Sequence, residues 1–468
     1  MLGEGPDNEV HPTCIMCEGG FVLRVPGPVE PAKAKQIRLV KRVFRSGLMS
    51  LDAAQATETP KAFSAAEQTF GIPEPIAGPA AAPGPLSVTK VRSTGSDGNR
   101  LVIVFMGDGF TSSNLAAGTF ANKVTGFLTT MLGVSPWNLY ASLVNAYRID
   151  VISNESGADY EDASPSAGGT LKDTYLDAAF WVGNTERCLF LTGDGASKAF
   201  AAAADFVGVG VWDEILVFVN STKYGGCGGS VGVSSLNSSA DEVQIHEFGH
   251  SFAGLADEYD YGSTSTNCNP TSARNADCSN NFPHVKWDVW VTPGAPIPTP
   301  DTSLYDNVVG AFEGAVYQTR GMYRPKRNCK MRTLGAAFCP VCKEAHILRL
   351  FDQMRIVDAA VPPLGEAEVP AYGSRTFTVT PVNVNTVSYQ WWLLDAPLTG
   401  ATNAVVTIAA SQLTGTNAEL RLEVTHVTTN VRAQPIVQTN VWRLRTADEP
   451  AISFADARVV EGNAGSNA

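Results

Sequence analysis

The segment HEFGH at residues 246–250 holds the side chains best suited to chemistry. His246 and His250 are one helical turn apart, so on a helix both rings lie on one face and can bind one metal ion. Glu247 lies beside them, where a carboxylate can accept a proton from water instead of binding the metal. The pattern predicts zinc-assisted hydrolysis with one catalytic ion and with Glu247 as general base.

A hydrolytic zinc site needs a third protein ligand and keeps its fourth position open. After His250 the sequence reads SFAGLADEY, so a glycine turn at Gly254 precedes two acids. The metzincin pattern HExxHxxGxxH has a fixed separation between its glycine and its third ligand. Asp257 keeps that separation, with one residue inserted before the glycine. We therefore predict Asp257 as the third ligand, with Glu258 as the alternative.

Three further residues are candidates to support this site. Met331, in the turn-like segment RPKRNCKMRTLG, lies where a Met-turn would form a hydrophobic floor under the metal. Tyr323 or Tyr259 could donate a hydrogen bond to the oxyanion of a tetrahedral intermediate. His346 follows in a helical pattern and is predicted to be a surface or packing residue.

The chain has nine cysteines, so at least one lacks an internal disulfide partner. Cys268 and Cys278 enclose a polar loop, and we predict a disulfide between them. Cys329 is predicted to pair with Cys339 or Cys342. An alternative is a structural zinc site that combines two CxxC pairs from distant parts of the chain, CIMC at 14–17 and CPVC at 339–342.

Composition limits the partners and the compartment. The 468 residues carry a net charge of −12, which argues against nucleic acid or an anionic membrane as the main partner. No apolar run is long enough to span a membrane. The cysteine-enclosed loop favours a secreted or extracytoplasmic protein, although the N-terminus lacks the pattern of a standard signal peptide. The expected partner is a protein or peptide substrate.

Periodicity divides the chain into four parts. Residues 1–90 form a leader or propeptide that ends in a Pro/Ala/Gly linker, and 449–468 form a tail. Strand and helix patterns alternate over 91–360, which predicts an α/β (α+β) catalytic domain with a mixed sheet and an active-site helix. Strand patterns alone over 361–448 predict an immunoglobulin-like β-sandwich of unknown partner. Its core tryptophan is Trp391 or Trp392.

A Gly-rich segment, YGGCGGSVGVSSL at 224–236, precedes the HEFGH helix. Its small side chains would let another backbone approach closely, as a substrate must when it adds to an edge strand. An ordinary flexible loop is the alternative interpretation of the same residues.

Several segments in order resemble the M64 metallopeptidases, a family often named after an immunoglobulin A peptidase. The resemblance runs from Val102 to Arg349 and is carried by IVFMGDGFT, NAYRIDVISNESGAD, VFVNSTKYGG, HEFGHSFAGLADEY, GAFEGAVY, YRPKRNCKM and FCPVC. It implies a zincin-like fold for the domain at 91–360. It also implies a zinc-dependent endopeptidase of the metzincin-like clan, with His246 and His250 as ligands and Glu247 as general base. It does not imply that immunoglobulin A is the substrate.

Overall fold

The computed structural model describes residues 36–40, 67–71, 87–263, 268–281, 283–413 and 418–447. Most of the predicted leader and the whole predicted tail at 449–468 lie outside these ranges, as do Cys14 and Cys17. From the leader the structure gives two paired antiparallel strands, Gln36–Val40 (β1) and Glu67–Gly71 (β2).

The α/β part contains eleven further strands and five helices among the described residues. The strands are Ser87–Arg92 (β3), Leu101–Asp108 (β4), Val144–Asp150 (β5), Ala178–Ala179 (β6), Phe190–Leu191 (β7), Glu214–Val219 (β8), Gly226–Cys227 (β9), Gly232–Ser234 (β10), Asp260–Ser263 (β11), Phe312–Ala315 (β12) and Tyr317–Arg324 (β13). The helices are Ser112–Ala116 (α1), Thr119–Met131 (α2), Gly195–Phe206 (α3), Ala240–Ser251 (α4) and Pro340–Gln353 (α5).

A mixed six-stranded sheet organises this part, in the order β3-β5-β4-β8-β10-β9. Strands β5, β4, β8 and β10 are parallel, whereas β3 and β9 pair antiparallel at the two edges. Every residue of β4 is buried, as its continuous apolar sequence LVIVFM predicts for a strand covered on both faces. The coarse prediction of a mixed α/β fold is confirmed.

Alternating side chains of β4 separate two hydrophobic cores. Ile103 and Phe105 face a core that includes residues of α2, α4 and α5. Val102 and Val104 face the opposite core, which includes residues of α3. Helix α4 is therefore buried between the sheet and the rest of the chain, and this burial holds its functional side chains in fixed positions.

The C-terminal part contains only strands and one short 3₁₀ turn among its described residues. The strands are Val357–Val361 (β14), Gly365–Val369 (β15), Ser374–Pro381 (β16), Val387–Leu393 (β17), Ala396–Pro397 (β18), Val405–Ala409 (β19), Ala418–His426 (β20) and Ile436–Thr446 (β21). They form a sheet β14-β16-β19 and a sheet β15-β21-β20-β17-β18.

The cores of these two sheets meet at aromatic residues. Trp391 is fully buried and stacks on Trp442, with ring centroids 5.4 Å apart. Phe377, from the other sheet, packs edge-on against Trp442 at 5.6 Å. Trp392 instead faces outward, where Arg421 lies over its ring. Of the two candidate core tryptophans, the structure places Trp391 inside.

Specific contacts join the strand-only part to the α/β part. Arg100 donates two hydrogen bonds to Asp358, at 2.7 and 2.8 Å. Glu344 on α5 accepts the backbone N–H of Ala433 at 2.8 Å, and one hydrophobic core runs through both parts. Among the residues described, no helix combines the length and apolar character that a bilayer-spanning segment requires.

Candidate metal centre

Helix α4 carries both histidines on one buried face. Asp241 and Glu242 lie in its first turn, where acidic side chains stabilise the positive end of the helix dipole. His246 is 7% exposed, and His250, near the helix C-terminus, is half-buried. The predicted helix and the shared face of the two rings are both present.

The chain reverses after α4 at Gly254, which has a left-handed φ of +61°. Glycine adopts this conformation without the steric cost that other residues incur. The Gly254 N–H donates to the His250 carbonyl at 3.1 Å, and the Leu255 N–H donates to the Gly249 carbonyl at 3.0 Å. This turn accommodates the extra residue and returns the chain towards the histidines.

Asp257 and Glu258 follow this turn and point to different surroundings. Asp257 Oδ1 lies 3.0 Å from His246 Nε2 and 3.2 Å from His250 Nε2. Glu258 Oε1 instead accepts a hydrogen bond from Asn275 at 3.0 Å. The structure thus brings Asp257, and not Glu258, together with the two histidines. We refer to His246, His250 and Asp257 as the histidine centre.

Backbone carbonyls fix the orientation of both imidazoles. His246 Nδ1–H donates to the Lys330 carbonyl at 3.0 Å, and His250 Nδ1–H donates to the Leu255 carbonyl at 2.7 Å. These bonds leave each Nε2 lone pair free to bind a metal. The two Nε2 atoms lie 3.1 Å apart. Donor atoms of a tetrahedral zinc lie about 3.3 Å apart, so the histidine centre fits such an ion.

Electrostatics favour a positive charge at the same point. Burial lowers the pKa of both imidazoles, but the carboxylate of Asp257 outweighs it and raises the pKa of His246 above its ordinary value. The same carboxylate raises the pKa of His250 to about 9. Burial opposes ionisation of Asp257, yet the two rings hold its pKa well below the usual range. A cation bound between the three groups would satisfy the same carboxylate charge.

Glu247 is buried against the Gly-rich segment. A Cβ atom at Gly228 would lie 2.6 Å from Glu247 Oε2, so a larger residue there would force the carboxylate to shift. Burial raises the pKa of Glu247 above its ordinary value. Gly228 directly follows edge strand β9, which places this edge of the sheet beside the candidate general base.

Met331 is fully buried beneath α4. Its Sδ atom would lie 2.7 Å from a Cβ atom at Gly249, so the thioether packs directly on the helix between the two histidines. The Met331 carbonyl accepts the Glu258 N–H at 2.8 Å. Lys330 forms an ion pair with Glu242, which ties this loop to the first turn of α4. Sequence reasoning identified Met331 but missed the carbonyl of Lys330.

The candidate tyrosines occupy different environments. The ring of Tyr259 is stacked near His246, with centroids 6.3 Å apart. Tyr323 is buried, and its hydroxyl accepts a hydrogen bond from Asn280 at 3.2 Å. Sequence reasoning missed Tyr317, whose hydroxyl donates to Asp257 Oδ2. The sequence feature that could have identified Tyr317 is its position at the end of GAFEGAVY, one of the segments that resemble the M64 family.

Unusual backbone dihedral angles at Val316 and Tyr317 position the Tyr317 side chain. Val316 and Tyr317 have φ values of 53° and 61°, a region that side-chain-bearing residues seldom adopt. Their N–H groups donate to the carbonyls of Asp257 and Tyr259, at 2.9 and 3.1 Å. Strain of this kind concentrates at functional sites, where surrounding contacts maintain it.

The cysteines differ in part from the predicted pattern. A disulfide joins Cys268 and Cys278, and a second, unanticipated one joins Cys188 and Cys227. Cys329 forms a disulfide with neither Cys339 nor Cys342; all three are free and buried. The Sγ atoms of Cys329 and Cys342 lie 3.7 Å apart, too far for the disulfide bond length of about 2.05 Å. His346 is a buried packing residue against Phe338.

A family model described as IgA peptidase M64 matches residues 89–305 and 301–350. Together these ranges cover more than half of the 468-residue chain and include both α4 and the Met331 loop. No curated protein matches the chain significantly.

Proposed function

Because the chain belongs to the IgA peptidase M64 family, a family of metal-dependent peptidases, we propose that it is a zinc-dependent endopeptidase acting on protein substrates. The convergence of His246, His250 and Asp257 beside Glu247 carries this proposal. The family description names immunoglobulin A, but no feature of the described residues selects that protein as substrate.

The histidine centre would hold the zinc ion through two imidazole nitrogens and one carboxylate oxygen. When bound, zinc polarises the scissile carbonyl and lowers the pKa of water. Glu247 would take the proton from that water and later donate it to the leaving amine. The carbonyls of Lys330 and Leu255 would keep both imidazoles in the tautomer that presents Nε2.

Tyr259 is the better placed of the two predicted oxyanion donors, because its ring lies next to His246. Tyr323 already accepts a hydrogen bond from Asn280 at a buried position, which supports a structural role for it. Tyr317 would orient Asp257 through its hydroxyl.

We further propose that a substrate backbone lies along β9 and the glycines that follow it. Strand β9 is the last strand of the central sheet, and Gly228 passes directly against Glu247. An extended peptide at this edge would bring a carbonyl close to the general base. The disulfide between Cys188 and Cys227 braces this edge.

Two disulfides in the described residues support a secreted or extracytoplasmic location, since such bonds persist in oxidising compartments. We also propose that 91–360 form a zincin-like catalytic domain and that 361–448 form an immunoglobulin-like sandwich. The mixed sheet with α4 supports the former, and the two facing sheets around Trp391 support the latter.

The test is Glu247→Gln in the full-length protein, assayed on casein and on a quenched-peptide library. Loss of the general base should lower the cleavage rate by about 10²–10⁴-fold while zinc per chain stays unchanged. Glu419→Gln, the same change at an exposed position on β20, is the matched control and should retain full activity. Wild-type protein that holds zinc in the histidine centre but cleaves no peptide would instead identify an inactive zinc-containing binding or adhesion protein.

A further inference from the structure

A second group of potential metal ligands lies beside the Met331 loop. It consists of Glu258, Cys329, Cys339 and Cys342, which we call the thiol cluster. One carboxylate oxygen and the three Sγ atoms all lie within 4.8 Å of one another. No member is more than 2% exposed. Neither the proposed peptidase mechanism nor the family description assigns these four residues a role.

Glu258 brings an unsatisfied oxygen into this buried group. Its Oε1 atom accepts hydrogen bonds from Asn275 at 3.0 Å and from the Cys342 thiol at 3.2 Å. Its Oε2 atom has no hydrogen-bond partner among the described residues and is inaccessible to solvent. A buried carboxylate oxygen without a partner is unfavourable unless a ligand satisfies it.

The distances match a tetrahedral thiolate site. Zinc–sulfur bonds of about 2.3 Å place two thiolates about 3.8 Å apart, and the Sγ atoms of Cys329 and Cys342 are 3.7 Å apart. The Cys339 N–H points at Cys329 Sγ at 3.2 Å, and the Cys342 N–H points at Cys339 Sγ at 3.5 Å. Such N–H donors, together with the positive end of α5, stabilise thiolate charge.

We propose that the thiol cluster binds a second zinc ion, in a closed structural site distinct from the histidine centre. Three thiolates favour a thiophilic ion over magnesium or calcium. The cluster supplies four protein ligands and therefore leaves no position for water, which is typical of structural zinc and excludes a catalytic role. Occupancy of this site does not depend on whether the chain is a peptidase.

The second ion fixes the floor of the histidine centre. Cys329 directly precedes Lys330 and Met331, the residues that orient His246 and pack beneath α4. Glu258 directly follows Asp257, and Cys339 and Cys342 hold the start of α5. One ion therefore ties together the three segments on which the geometry of the histidine centre depends.

The test measures zinc per chain in untagged, dialysed, full-length protein. Wild type should hold about two zinc ions, and both His250→Ala and Cys342→Ser should hold about one. After cobalt exchange, His250→Ala should keep a thiolate-to-cobalt charge-transfer band in the near ultraviolet. Cys342→Ser should lose that band. Because the His250→Ala spectrum needs no cysteine change, it decides the question even if Cys342→Ser fails to fold.

Two controls separate this proposal from its alternatives. A Cys14→Ser/Cys17→Ser double variant should keep both zinc ions, and loss of one would overturn the ligand set. In that background, Cys329, Cys339 and Cys342 should all react with a thiol reagent after denaturation and chelation without reductant. A disulfide between any two of them would leave one reactive thiol and overturn the proposal.

The proposal also fails if wild type holds a single zinc ion that His250→Ala removes and its cobalt form shows no thiolate band. Failure of the peptidase proposal looks different. In that case the thiol cluster still holds zinc in wild type, and only peptide cleavage is missing.

Discussion

The histidine centre and the thiol cluster are supplied by neighbouring residues but have opposite accessibility. Asp257 belongs to the first and Glu258 to the second, although the two residues are adjacent in the chain. The His250 side chain is 23% exposed, whereas every member of the thiol cluster is buried. A three-ligand group with one partly exposed member suits catalysis, and four closed ligands suit structure.

One loop serves both groups. The Cys329 side chain joins the thiol cluster, the Lys330 carbonyl orients His246, and Met331 supports α4 from below. Loss of a ligand or of the ion from the thiol cluster should therefore disturb the histidine centre, because only Lys330 and Met331 separate Cys329 from the contacts with His246 and α4. The histidine centre and the thiol cluster therefore share the same short segments of chain.

Chelation should separate the two groups most clearly. Phenanthroline should first remove the ion of the histidine centre, where His250 is partly exposed, and lower activity by ~10³-fold or more, since metal polarisation supplies several kcal/mol to catalysis. The closed thiol cluster should lose its ion much more slowly. Activity and zinc per chain are followed together over time, and stoichiometric zinc restores activity.

Simultaneous loss of both ions, or loss of zinc without loss of activity, would contradict this distinction between an open and a closed site. Incubation with the non-chelating isomer of phenanthroline is the control for effects of the aromatic ring itself.

Met331→Ala tests the shared floor. Removing a fully buried methionine side chain should lower the free energy of unfolding by about 2–5 kcal/mol, because a cavity forms beneath α4. Met331→Leu nearly conserves the volume and should cost less than about 1.5 kcal/mol. Urea unfolding of both variants measures the difference. Equal stability of the two variants would show that Met331 does not support the helix.

The sequence predicted the parts of the site that depend on local spacing. His246, Glu247 and His250 share a helical turn, and Gly254 marks the reversal that leads to Asp257. The alternation of strand and helix patterns likewise predicted the mixed sheet, because strands covered on both faces are continuously apolar.

The sequence could not predict contacts between segments far apart in the chain. Spacing alone suggested that Cys329 pairs with one nearby cysteine, whereas folding adds Glu258 from beside the histidine centre and leaves all three thiols free. Tyr317 reaches Asp257 only because Val316 and Tyr317 adopt left-handed φ values. Valine and tyrosine seldom adopt left-handed φ values, so their presence in the sequence does not predict this conformation.

Tyr317→Phe tests whether the histidine centre depends on the hydrogen bond that Asp257 accepts from Tyr317. The change removes the hydroxyl that donates to Asp257 Oδ2 and should lower zinc affinity or activity by about 10–100-fold. The thiol cluster should keep its ion. Tyr372→Phe, at a position 87% exposed, is the matched control and should behave as wild type. Unchanged zinc affinity and activity in Tyr317→Phe would remove this tyrosine from the site.

Glu214 shows what becomes of a buried carboxylate that belongs to neither metal group. Burial raises the pKa of Glu214 to about 8, against 4.5 for the exposed group; a hydrogen bond with Ser251 opposes the shift and the charge of Asp213 adds to it. The folded chain therefore binds this proton more tightly than the unfolded chain. The associated stability is fully present below about pH 4.5 and is lost as pH rises through about 8.

Glu214→Gln cannot ionise, so its stability relative to wild type should increase as pH rises from 4.5 to 8. The gain at pH 8 should reach at least about 1 kcal/mol, since each unit of pKa difference corresponds to 1.36 kcal/mol. Urea midpoints at the two pH values measure it, with Glu419→Gln as the exposed control. A difference between Glu214→Gln and wild type that does not change with pH would mean that Glu214 is ionised in the folded chain. An ionised Glu214 would need a positive charge nearby, which we expect only at the two metal groups.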